Sequence, residues 1–113
     1  MACIFCQIIK KEIPAQIVYE DEEILAFKDI QPKAKIHLLI IPKKHFVSLN
    51  KVRKKDKEIL GKLLWQAKLL AKEFKISDSG YKIVINSGKD AGQVVEHLHL
   101  HLLGGEELKN FPI

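Results

Sequence analysis

At 113 residues the chain is long enough for one hydrophobic core and too short for two domains, so a single domain over 1–113 is expected. A hydrophobic content of 47% with 19 Lys and Arg against 14 Asp and Glu, net +5, describes a soluble basic protein. No apolar run approaches the about 20 residues that span a bilayer, and no basic-then-apolar leader opens the chain, which excludes a membrane protein and makes the cytoplasm the expected location.

The first stretch, 3–11, carries Ile4, Ile8 and Ile9 at helical spacing, and Pro14 stops it. Strands are expected at 16–19 and 24–27, joined by a turn at Glu20-Asp21-Glu22. After a loop at Pro32, the run Ile36-His37-Leu38-Leu39-Ile40-Ile41 is almost continuously apolar and rich in β-branched residues, the pattern of a central strand, and Pro42 closes it. The basic run Lys51 to Lys57 reads as a solvated turn and helix start. Arg53 is the only Arg, whereas a base-reading protein carries more, so no specific nucleic acid is expected. A modest positive field still suits a small anionic substrate.

From 56 to 75 the period changes. Ile59, Leu60, Leu63, Leu64, Ala67, Leu70, Ala71 and Phe74 form one helical stripe, with Asp56 as the expected cap and Ser77 to Gly80 as the stop. Trp65 and Leu69 lie four apart on the opposite face. Burial on two sides would explain them; a homodimer contact is the preferred reading. Strands at 81–85 and 97–103 flank a turn-rich loop, Asn86 to Gln93. Five strands, one long helix and one short one indicate an α+β domain with a mainly antiparallel sheet.

The segment His97-Leu98-His99-Leu100-His101 puts three of the five histidines on one face of a strand. Consecutive same-face positions stand about 6.6 Å apart and the outer two about 13 Å. Metal–nitrogen bonds are about 2 Å, so one ion does not hold all three. The roles must divide. Cys3 and Cys6, read alone, suit either two small hydrophobes or two thiolate ligands. As ligands they need two partners from among His37, His45 and one end of the stripe. A set of Cys3, Cys6, His45 and His97 would staple the N-terminal segment to the sheet and leave His99 and His101 free. A neutral imidazole near pH 7 attacks phosphorus when its other nitrogen is held by an acceptor. The Asn86 to Gln93 loop could donate to phosphate oxygens through glycine-exposed N–H groups and two side-chain amides.

The stripe resembles the signature of the histidine triad (HIT) superfamily. The likeness extends over Ile4-Phe5-Cys6-Gln7-Ile8-Ile9, Glu12-Ile13-Pro14-Ala15, Tyr19-Glu20-Asp21, Ala26-Phe27-Lys28-Asp29-Ile30, Ile40 to His45 and Asn86-Ser87-Gly88. Gly104-Gly105 and a tail with Phe111-Pro112 resemble the Hint branch. The resemblance implies a homodimeric, purine nucleotide-binding phosphoramidase in which His99 attacks the α-phosphorus and a nucleotidyl-histidine is then cleaved by water. It implies Asp29 for the ribose, Ile30 and Phe5 with Phe27 for the base, and Asn86, Gly92, Gln93 and His101 around the phosphate. It also implies structural zinc on Cys3, Cys6, His45 and His97. Val94 stands where Hint proteins usually carry Ser, so only a backbone contact carries over there, and Phe111 stands where Trp is common. A non-catalytic nucleotide-binding protein and a hydrolase of dinucleoside polyphosphates are the alternatives.

Overall fold

The computed structural model describes residues 3–108, and the Phe111-Pro112 tail lies outside them. Helix α1 (Ile4–Ile9) precedes strands β1 (Ile17–Glu20), β2 (Ile24–Lys28) and β3 (Ile36–Pro42), then helix α2 (Glu58–Glu73) and strands β4 (Tyr81–Val84) and β5 (Leu100–Gly104). The five strands make one antiparallel sheet ordered β1-β2-β3-β5-β4. This is the expected α+β class. The β1–β2 turn is set by Asp21, whose carboxylate accepts from the Glu23 and Ile24 N–H groups at 2.8 Å each.

β3 is apolar without alternation because both its faces are covered. Leu38 and Ile40 join Ile24, Ala26, Leu100 and Leu102 under α2. Leu39 and Ile41 face the other way, onto Leu25, Phe27 and the α1 residues Phe5 and Ile8. Each fully buried Leu or Ile contributes about 1.5–3 kcal/mol. The second face is only partly filled by α1, which leaves room there for a site.

Three sequence expectations about α2 change. Asp56 does not cap α2; it lies in a short 3-10 turn and pairs with Lys44 at 3.0 Å, and the helix starts two residues later. The helix ends at Glu73, before Ser77: Phe74 closes it and Lys75 follows with a left-handed φ of 61°. Ile76 N–H then bonds the Ala71 carbonyl at 2.9 Å, and its buried side chain anchors the stop without a glycine. Leu64 belongs to the exposed face: it is 50% exposed, beside Trp65 at 60% and Leu69 at 40%.

The last strand is shorter than its alternating sequence. Pairing with β3 begins at Leu100, opposite Ile40. Two residues further along β3 is Pro42, which has no N–H to continue the ladder, and its carbonyl is taken by the His97 ring. Residues 97–99 therefore run beside the chain after β3, with Leu98 N–H on the Phe46 carbonyl at 2.7 Å. That departure from the ladder sends His97 and His99 to different places.

Candidate active site

Each triad histidine has one ring nitrogen committed, and the commitments differ. His97 Nε2 faces the Pro42 carbonyl at 2.8 Å; a carbonyl only accepts, so Nε2 carries the proton and Nδ1 is bare. His99 is reversed: Nδ1 donates to the His97 carbonyl at 2.7 Å and Nε2 is bare. His101 is fixed from behind by His37. The Lys33 N–H donates to His37 Nδ1 at 3.0 Å, so His37 protonates Nε2 and donates to His101 Nδ1 at 2.9 Å. His101 thus keeps its proton on Nε2. Asp29 Oδ2 lies 3.4 Å from the same His37 nitrogen, a longer contact that leaves His101 the better acceptor.

Burial holds these rings neutral. It pushes His101 down to about 4, helped by the neighbouring His99 and His37 charges and opposed by Asp29. It also lowers His99 and His37, in each case against a raising influence from Asp29. A free-base His99 and a neutral N–H donor on His101 are therefore the resting state at pH 7.

The bare His99 nitrogen and His101 belong to a cavity of about 620 Å³. One wall is apolar, with Phe5 and Ile8 from α1 and Phe27 from β2; Phe5 meets the His99 ring edge-on at 5.2 Å. Asp29 lines the cavity beside Ile30, which is 89% exposed at its rim, and Asn86, Gly92 and Val94 come from the loop before the triad. Gly92, at φ 80°, turns the loop where a side chain would be strained. Nine of the ten expected nucleotide-binding residues line this space.

Gln93 does not. Its Oε1 accepts from Gly88 N–H at 2.8 Å, and its Nε2 donates to the Val47 and Val95 carbonyls at 2.7 and 3.0 Å. Its amide is committed to holding the loop. Asn86 does line the cavity while donating to the Ala91 carbonyl at 2.9 Å. His37, weighed in the sequence only as a candidate metal ligand, instead orients His101; the Lys33 backbone donor that orients it leaves no trace in the residue pattern.

The bare His97 Nδ1 points away from the cavity, into a cluster with Cys3, Cys6 and His45. It lies 3.4 Å from Cys3 Sγ, 3.6 Å from Cys6 Sγ and 3.1 Å from His45 Nδ1, and Cys6 Sγ lies 3.3 Å from His45 Nδ1. All four donor atoms fall within 4.8 Å of one another. A tetrahedral zinc site with bonds of about 2.0–2.3 Å has ligand–ligand edges of about 3.3–3.8 Å, so the cluster fits zinc in both spacing and donor type. The Pro42 carbonyl behind His97 is the outer partner that such a ligand needs. Asp29, His37 and His101 also converge within 4.8 Å, and the hydrogen-bond chain already accounts for them.

The HIT domain matches residues 10–108. The "14 kDa zinc-binding protein" of Zea mays is 51% identical over 111 residues, 96% of this chain and 85% of its own. A HIT family hydrolase from Legionella pneumophila Philadelphia 1 superposes with a TM-score of 0.95 at 49% identity, over 99% of this chain and all of the other (100%). A Zn-bound histidine triad family protein from Mycobacterium smegmatis superposes at 0.82 with 33% identity, over 100% of this chain and 81% of the other. The signature, the fold and the sequence likeness agree: this chain belongs to the HIT domain family.

Proposed function

We propose that the chain, as a single domain over 1–113, hydrolyses the P–N bond of purine nucleoside 5′-phosphoramidates, as a member of the Hint branch. The observation that carries the reading is the pair of opposite tautomers in one cavity: His99 with a bare Nε2 and His101 with Nε2–H. His99 attacks the α-phosphorus, the P–N bond breaks, and the departing amine takes up a proton. Water then cleaves the nucleotidyl-His99 bond, releasing AMP or GMP and restoring the imidazole. His101 Nε2–H donates toward a phosphoryl oxygen, such a donor being worth about 10²–10³ in rate, while the Gly92 N–H is held by the Lys89 carbonyl at 3.0 Å and shapes the loop. The apolar wall around Phe5 and Phe27 suits a base, and the Asp29 carboxylate suits ribose hydroxyls.

Zinc, if bound, would be held by Cys3, Cys6, His45 and His97, and with four protein ligands it would supply structural closure. Those residues clamp α1, and with it the base wall, against the segment that carries the triad. A homodimer through the exposed α2 face at Leu64, Trp65 and Leu69 is proposed with it, as is a cytoplasmic location. Among the described residues no helix is long and apolar enough to cross a membrane.

Incubation with adenosine 5′-phosphoramidate tests the activity. The wild type releases AMP and, in an alkaline denaturing quench, carries AMP on His99; the His99→Ala protein does neither. Equal AMP release by the two proteins sinks the reading. Non-catalytic nucleotide binding is the second reading, favoured by Val94, which is 90% exposed at the cavity and offers a leaving group no hydroxyl. AMP binding with no His99-dependent turnover selects it.

A further inference from the structure

The four-donor cluster and the cavity share their construction. Phe5 sits between the two cysteines in sequence, lines the cavity, and lays its ring against His97 at 5.8 Å and His99 at 5.2 Å. The His97 carbonyl receives the His99 Nδ1 proton, so a member of the cluster fixes which nitrogen of His99 is bare. Cys3 caps α1 and Cys6 lies in its first turn, with Cys6 N–H on Cys3 Sγ at 3.4 Å. Residues three apart on such a turn have Cα atoms about 5 Å apart, inside the span a disulfide bridges. Exposed His45 and half-buried Cys6 open this side of the cluster to solvent.

We propose that Cys3 and Cys6 form a reversible oxidation site, and that their closure into a disulfide weakens nucleotide binding by loosening Phe5 and the His97–His99 hydrogen bond. The effect on nucleotide rests on the function proposed above. The oxidant is hydrogen peroxide. Two thiolates give two electrons to its O–O bond, which breaks; an S–S bond forms, and both oxygens leave as water after taking up two protons. Metal ligation needs thiolate, so the disulfide leaves His45 and His97 with half a ligand set. The His97 ring then keeps the Pro42 carbonyl and its contact with His45 but loses both sulfur partners, and α1 loses its cysteine tie to residues 45 and 97. A dithiol reductant returns both thiolates.

Treating the zinc-loaded, full-length protein with stoichiometric hydrogen peroxide tests this through three readouts: thiol content with zinc released to a chromogenic chelator, the imidazole ¹⁵N resonances of His99, and AMP affinity by calorimetry. Two thiols are lost per zinc released, the His99 resonances shift from a fixed Nδ1–H pattern toward a tautomeric average, and AMP binds about tenfold more weakly. Dithiothreitol with zinc restores all three. Disulfide formation that leaves the resonances and the affinity unchanged overturns the proposal, as does thiol loss without an S–S bond. If AMP does not bind the reduced, zinc-loaded protein, the nucleotide reading fails, and the His99 resonances still decide the switch. Phe5→Leu keeps both thiols and retains zinc while shifting the His99 resonances; unchanged resonances overturn the part given to Phe5.

Discussion

His101 presents an N–H to the cavity because two hydrogen bonds stand behind it, from Lys33 N–H to His37 and from His37 to His101. His37→Ala removes that order, and kcat/KM for a phosphoramidate should fall by about 10²-fold while zinc content stays the same; an unchanged rate would separate His37 from the chemistry. The pH profile follows from His99. Burial holds its pKa below the ordinary 6.5, and only the free base attacks, so the acid limb of kcat/KM should lie below pH 6.5. An acid limb above 6.5 would contradict a buried nucleophile. Val94 touches too little to hold the fold: Val94→Ser should change stability by less than about 0.5 kcal/mol, so any change in leaving-group preference can be read directly. At this scale the residue types were legible, His99 and His101 among them. What their ring nitrogens do was not, because the partners are the carbonyls of Pro42 and His97 and the N–H of Lys33, groups every sequence contains.

α2 shows which helical face packs and which does not. Leu70 is 1% exposed between the helix and the sheet, and Leu70→Ala should cost about 2–5 kcal/mol in denaturant unfolding. Trp65 on the opposite face is 60% exposed, with the Lys68 ammonium 4.8 Å from its ring centroid. Trp65→Glu should leave the monomer fold intact and halve the sedimenting mass; an unchanged mass would remove the dimer argument. The stripe was readable from spacing apart from Leu64, which lies at the edge of the apolar arc and turns outward. Asp56 was a plausible cap by residue type, but Lys44 reaches it across the fold, and a long-range pair is invisible to local capping rules.

The whole molecule is one sheet with unlike covers: a long helix on one face, and on the other a short helix that leaves a cavity beside it. Stability should depend on the second cover. Chelating zinc from the loaded protein should lower Tm and free α1 for proteolysis near Pro14, whereas cleavage in α2 should stay slow. Acid acts on the same face. The folded pKa of His101, about 4, lies below its ordinary 6.5, so the unfolded chain binds the proton first. The resulting stability is full above pH 6.5 and is lost as pH falls toward 4, on the order of 2 kcal/mol after discounting for partial exposure. A His101→Asn protein should lose less stability between those pH values in parallel urea titrations.

The sequence by itself determined the class of fold, the order of its elements and the residues that could do chemistry, because hydrophobic period and histidine spacing are local properties of the chain. It also showed that three alternating histidines could not all serve one ion, since strand geometry alone keeps the outer pair too far apart. The tertiary structure decided how they divide. Pro42 ends the β3–β5 ladder, so His97 turns toward Cys3, Cys6 and His45 while His99 and His101 stay in the cavity. It also turned Gln93 from an expected phosphate donor into a brace for its loop, because the Val47 and Val95 carbonyls and the Gly88 N–H converge on its amide. Those choices depend on backbone groups brought together from distant parts of the chain, and only the folded arrangement supplies them.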